Sequence, residues 1–153
     1  MNCDRIKICL KPTDNNLSWY TIDRSIVKEG KFIRQTSGRD SFAIIILKIE
    51  PYSVKEVAIF ENKIAEINLG KKTLYPLLKK NEETLNILQT ICSGVILGIE
   101  AACLGLDSQI AVASKVTALK ASFHTVDSHY RAFKMATKSA LLEALGEVKL
   151  IKI

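Results

Sequence analysis

The apolar pattern changes period twice between residues 57 and 121, and no other feature limits the fold of this chain as much. Residues 57–64 (VAIFENKI) read as a strand. From Asn81 or Glu82 onward, Leu85, Leu88, Ile91, Cys92, Val95, Ile96 and Ile99 follow the i, i+3, i+4, i+7 rule of a helix with one apolar face, and Gly105 stands near its end. Alternation then returns over 110–121 (IAVASKVTALKA), with Ala113 and Ser114 where a slip or bulge would fall. A helix between two such strands packs flat on a sheet, and Gly94 and Gly98, four apart, predict a close approach to that sheet.

The flanking segments extend the pattern. Residues 5–10 alternate Ile6, Ile8 and Leu10 with Lys7 and Cys9, as a half-buried strand does. A polar break at 12–16 precedes the β-favouring Trp19, Tyr20, Thr21 and Ile22, and Lys28, Glu29 and Gly30 read as a turn. Residues 31–36 and 42–49 (FAIIILKI) form the arms of a hairpin with a basic tip at Ser37, Gly38, Arg39 and Asp40, and Pro51 ends the second arm. The polar stretch around Gly70, Lys71, Lys72, Pro76, Lys79 and Lys80 reads as a loop or a broken helix. Asp127 or Ser128 caps a second helix over 129–145, with Phe133, Ala136, Ala140, Leu141 and Ala144 on one face and Arg131, Lys134 and Lys138 on another. Gly146 is placed as its terminating glycine, and EVKLIKI reads as a last strand.

Several functions are excluded or disfavoured. At 153 residues the chain fits a single domain spanning 1–153 and has no room for a full GTPase beside anything else. With 22 Lys+Arg against 16 Asp+Glu the formal charge is +6, which favours a polyanionic partner such as RNA. Asp4, Arg5 and Lys7 interrupt the apolar run that a secretion signal needs, so a cytoplasmic protein is expected. The apolar stretch 87–106 is broken by Gln89, Thr90, Ser93 and Glu100 and reads as a buried helix, not a membrane span. Cys3, Cys9, Cys92 and Cys103 form no CxxC pair and read as reduced, mostly buried thiols.

No GxxxxGK[ST] loop is present, and Gly70-Lys71 lacks both the upstream glycine and the strand-to-helix context of a phosphate cradle. His124 and His129 lie five apart, without an HExxH pattern or a cysteine at ligand spacing, so no metal is expected. Ser122, His124, Asp127 and Ser128 are close in sequence, but a catalytic triad is defined by geometry, and a helix cap explains Asp127 and Ser128 more simply. The expectation is a non-enzymatic domain with no catalytic residues and no cofactor.

Residues 31–51 (KFIRQTSGRDSFAIIILKIEP) and 121–145 (ASFHTVDSHYRAFKMATKSALLEAL) together resemble the fourth domain of elongation factor G, in that family's order. The first segment matches a hairpin with a glycine-rich tip, QSGGRGQYG, through Gln35, Gly38, Arg39 and Phe42; Ser37, Asp40, Ser41 and Ala43 depart from it. The second matches a loop-to-helix unit, GSYHDVDSSELAFKLAAS, through Ser122, Phe123, His124, Val126, Asp127, Ser128, Ala132, Phe133 and Lys134. The likeness covers about 31–145, is poor over 66–83, and leaves 1–30 to add N-terminal strands.

The resemblance implies an α+β fold, a four-stranded sheet with two helices packed on one face and a left-handed βαβ crossover, similar to a small-subunit ribosomal protein domain and to the ribonuclease P protein. It also implies a ribosome-contacting tip made of two loops, here 37–41 and 122–126. Arg34, Gln35, Gly38, Arg39, Phe123 and His124 are the expected RNA-binding residues, with the cations and His124 offering donors to phosphates and bases and Phe123 a stacking surface. Two blander assignments compete: Arg34 and Arg39 as plain solvated charges of a hairpin, and Phe123 as a core residue under the helix start. The expected partners are the small ribosomal subunit or another structured RNA, with a separate GTPase chain supplying any nucleotide-driven step. The alternatives are a protein-interaction module that keeps the fold without RNA contact, and an RNA-processing enzyme or its subunit, which has only the fold analogy behind it.

Overall fold

The computed structural model describes residues 4–12, 16–35, 40–107 and 109–153. Among them the chain forms β1 (Arg5–Cys9), β2 (Ser18–Ile22), β3 (Ile26–Arg34), β4 (Ser41–Pro51), β5 (Val57–Asn68), β6 (Thr73–Leu74), α1 (Glu82–Gly105), β7 (Ile110–Val112), β8 (Ser114–Ser122), α2 (Tyr130–Glu147) and β9 (Leu150–Lys152). The main sheet runs β1-β5-β8-β4-β3, with β6 paired to the end of β5, and β7-β2-β9 make a second, three-stranded sheet. The architecture is α+β, as expected, but the main sheet has more than four strands.

The second sheet has a local cause. The run 110–122 does not stay in one sheet: it breaks at Ala113, where Thr21 Oγ1 donates to the Ala113 carbonyl at 2.9 Å. Before the break the chain pairs parallel to β2, and after it with β4 and β5. The irregularity expected at Ala113 and Ser114 is therefore the joint between two sheets. The last strand pairs with β2, not with the main sheet.

In β4, Ala43, Ile45, Leu47 and Ile49 are fully buried while Ile44, Ile46, Lys48 and Glu50 are half-buried on the other face. The buried face meets α1 and α2, whose apolar residues join it in one core. By length and composition α1 would suit a membrane span, but Ile87, Leu88, Ile91, Val95 and Ile99 are buried in that core. Two of the three described cysteines, Cys92 and Cys103, are buried, and burial pushes the Cys103 thiol up to about 11 against a weak opposing contact from Ser114.

Two glycine assignments change. Gly30 lies inside β3, not in a turn, and a Cβ there would collide with the Ala136 carbonyl of α2. Gly94 and Gly98 bring α1 close to α2, not to the sheet: a Cβ on Gly94 would lie 2.6 Å from the Phe133 Cβ, and one on Gly98 2.6 Å from the Thr137 Cβ. Both facts place α2 in a slot between β3 and α1.

The sheet face opposite Ala58 and Phe60 is laced with ion pairs. Glu61 meets Arg5 at 2.6 Å, Lys115 at 3.2 Å and Lys63 at 3.6 Å. Burial alone would raise the Glu61 pKa, but Lys115, Lys63 and Arg5 outweigh it and hold the carboxyl below its usual value. Lys120 pairs with Glu66 and Lys31 with Glu29 on the same sheet.

Candidate nucleic-acid interface

Strand pairing decides which loops share an end of the molecule. Ile44 of β4 pairs with Ser122 of β8, and Asn68 of β5 pairs with the same Ser122. Since Arg34 of β3 pairs with Ser41, the hairpin end, the loop after β8 and the turn after β5 lie at one edge.

The loop at 122–128 is tied down at both sides. Phe123 N donates to the Asn68 carbonyl at 2.9 Å. Ser128 Oγ donates to the Phe42 carbonyl at 2.6 Å and accepts the His124 N–H at 2.9 Å, while Phe42 N donates to the Asp127 carbonyl at 3.2 Å. Asp127 and Ser128 thus anchor the loop to the hairpin arm and do not cap the helix. His129 does that, its Nδ1 accepting the Ala132 N–H at 3.3 Å while its Nε2 lies 3.0 Å from Ser41 Oγ. The helix then runs past Gly146 to Glu147, so that glycine does not end it.

His124 is held with its side chain 52% exposed. Its Nδ1 lies 3.2 Å from both the Asp127 backbone N and Asp127 Oδ2, so the neutral ring accepts from the first and the protonated ring donates to the second. Either state leaves Nε2 for an outside partner. The Phe42 ring stands 6.1 Å from the imidazole. This geometry does not make a nucleophile–base pair, because the Ser128 hydroxyl is spent on two backbone groups and the near partner of the ring is Asp127. Among the described residues no group of three His, Cys, Asp or Glu side chains could hold a metal ion.

The expected RNA-binding residues divide into three groups. Arg34 and Gln35 are exposed at the end of β3, Arg34 stacking 5.4 Å over the Phe32 ring, and the pairing above brings them to the same edge as His124. Phe123 is buried, its ring stacked at 6.1 Å on Phe133 of α2, so it is a core residue and offers no platform for a base. Gly38 and Arg39 lie outside the described residues, as does the rest of the 37–39 tip.

Sequence reasoning missed two contributors. The segment expected to be a loop or broken helix begins with four more residues of β5 and a tight turn at Gly70, which put the exposed Lys71 at the edge occupied by His124. The sequence signal was weak, because Ile67 stands three residues after Ile64, out of step with strand alternation, where the pairing with β8 shifts register between Asn62 and Glu66. The first turn of α2 carries Tyr130 and Arg131, which with Arg34 and Lys134 line a cleft beside the hairpin. His129, Tyr130 and Arg131 stand where the family's loop-to-helix pattern has Ser, Glu and Leu. Unlike the cations of the sheet face, Arg34, Arg131 and Lys134 meet no carboxylate among the described residues.

Comparison with known proteins agrees with this architecture. The family described as "Elongation factor G, domain IV" matches residues 20–149. A curated relative, the elongation factor G of Carsonella ruddii (strain PV), is 35% identical over 126 residues, which are 82% of this chain and 16% of that protein. The chain therefore spans about a sixth of the length of that relative. Among solved structures, the crystal structure of ttk003000868 from Thermus thermophilus shares the fold with a TM-score of 0.62 at 20% identity, covering 91% of this chain and 18% of that one.

Proposed function

The chain belongs to the elongation factor G domain IV family, and from that premise we propose that it docks on RNA of the small ribosomal subunit, or on another structured RNA, through the edge where the hairpin and the 122–128 loop meet. Domain IV of elongation factor G is itself a non-catalytic domain. The proposed role here is likewise occupancy of an RNA site in the cytoplasm, without a cofactor. A nucleotide-driven step would need a GTPase, and these residues hold no phosphate-cradling loop to supply one themselves.

One observation carries the proposal: the bonds from Ser128 to Phe42 and His124 clamp the loop onto the hairpin arm. A flexible loop would lose conformational entropy on binding; this one is already ordered. Arg34 and Arg39 supply charge, Gln35 and the His124 Nε2 supply hydrogen-bonding groups, and Gly38 allows close backbone approach. Phe123 acts from beneath, by holding the loop to α2.

Co-sedimentation with purified small subunits tests this. The chain should pellet with them at low salt and come off as salt rises, with about one log unit of affinity lost per log unit of salt for each phosphate neutralised. Arg39→Glu combined with His124→Ala should abolish pelleting while the circular dichroism spectrum stays native. Unchanged pelleting of that variant would reject the edge. Salt-insensitive retention through a ribosomal or other protein would replace the RNA role with a protein-interaction role.

A further inference from the structure

Beside the proposed docking edge, the first turns of α2 and the end of β3 enclose a shallow cleft of about 460 Å³. Phe32, Arg34, Leu97, Tyr130, Arg131 and Lys134 line it, and no Asp or Glu does. Its two guanidinium groups are each paired with an aromatic face, Arg34 at 5.4 Å from the Phe32 ring and Arg131 at 5.6 Å from that of Tyr130. Arg131 Nε also donates to the Tyr130 hydroxyl at 3.2 Å, which holds ring and cation as one unit. Tyr130 is 42% exposed and Leu97 40%, so the floor is apolar but open to solvent.

We infer that this cleft binds an unpaired segment of RNA, one or two nucleotides wide, with bases against Tyr130 and Phe32 and phosphates on Arg34, Arg131 and Lys134. Three points favour this occupant over a duplex or a protein. Cations without any carboxylate complement a polyanion. Aromatic faces flanked by guanidinium groups match a splayed base, whose π-face is buried in a duplex and open in a single strand. The cleft is too small for a helix but suits a base and its sugar–phosphate. Arg131 also stands in the first turn of α2, where the partial positive charge of the helix end disfavours a cation and adds to the pull on a phosphate. This extends the RNA reading of the docking edge, while the residues tested below, Tyr130, Arg131 and Lys134, lie outside it.

The test uses the whole chain and a fluorescently labelled 12-nucleotide oligouridine, followed by anisotropy at low salt. Binding is expected, with a slope of log affinity against log salt of about −2 for three phosphates on a single strand. Tyr130→Ala should weaken it about tenfold or more through lost stacking. Arg131→Glu with Lys134→Glu should remove binding, and Arg131→Ala alone should flatten the slope by about 0.7. A fully paired RNA of equal length should compete poorly. Oligouridine binding unaltered by Tyr130→Ala, or equal competition by polyglutamate, would overturn the inference. Subunit pelleting, scored on the Arg39/His124 variant, reports separately on the docking edge, so either site can fail without the other.

Discussion

The two ends of α2 carry charges of the wrong sign for a helix, and they resolve the mismatch in different ways. The C-terminal end, where partial negative charge accumulates, bears Glu143 and Glu147 and no cation in the last turn. The N-terminal end, partially positive, bears Arg131 and no acid in the first turn. At the C-terminal end the fold supplies its own remedy: Lys28 of β3 reaches Glu143 at 3.2 Å and also Glu147, and Arg24 donates to the Glu147 carbonyl at 2.6 Å. At the N-terminal end no described carboxylate answers Arg131 or Lys134. Helix α1 shows the ordinary arrangement, with Asn81 accepting the Thr84 N–H at 2.9 Å and Glu82 and Glu83 in its first turn. A mismatch corrected within the fold serves stability; one left open awaits an anion from outside.

The same contrast governs how firmly each helix start is anchored, and the largest effects should appear there. Phe133, the fourth residue of α2, is fully buried against Phe123, whereas Leu85, the fourth residue of α1, is 48% exposed. Phe133→Ala should cost about 3–5 kcal/mol in urea denaturation. Leu85→Ala should stay within about 0.5 kcal/mol of wild type. Similar losses for both would mean that the α2 start is not specially anchored. Because Phe123 leads into the 122–128 loop, Phe133→Ala should also weaken subunit pelleting more than its fold loss alone predicts, measured at a temperature where the variant remains folded.

Much of this anchoring was legible in the sequence, and the part that was not has a physical reason. The helical period of 88–99 reports burial directly and the apolar run of 42–49 reads as a strand, so α1 and β4 were readable, as was the order of elements around them, although Leu85, at the start of the same period, is exposed. Gly30, Gly94 and Gly98 were readable as special but not in what they approach, since a missing side chain carries no sign of its neighbour. Ser128 looked like a helix cap because the same hydroxyl that satisfies a helix N–H also satisfies a loop N–H, and only the pairing of β4 with β8 put the Phe42 carbonyl within its reach. The loop-to-helix match put His124 in the loop after β8, which the strand pairing brings to the same edge as the hairpin. The cleft was not legible at all, because its walls come from residues near 32, 97 and 131 that no local pattern joins.

A smaller effect separates stability from binding at the N-terminal end. Arg131→Glu places an acid in the first turn, as in α1, and should stabilise the chain by about 0.3–1 kcal/mol at low salt. The same substitution should weaken oligouridine binding. Opposite signs in the two assays would identify Arg131 as a residue held for binding against the preference of the helix. A loss of stability in urea denaturation would instead make the cation part of the fold.

The smallest effect tests the compensated end. The hydrogen bond to Glu147 comes first among the causes that raise the Lys28 pKa above 10.5; partial desolvation opposes it, and Glu143 adds to the rise. A base whose pKa is higher in the folded than in the unfolded state contributes stability that is fully present below the unfolded value and lost as pH climbs through the folded one. Wild type should therefore lose stability relative to Lys28→Met only above 10.5, and the difference between their urea midpoints should shrink there while staying constant from neutral pH upward to that range. Other lysines and the tyrosines titrate in both proteins, so the difference curve isolates this one ammonium. If the two midpoints fall in parallel through the alkaline range, the pairing with Glu143 and Glu147 contributes nothing, and the C-terminal end of α2 is as uncompensated as the other.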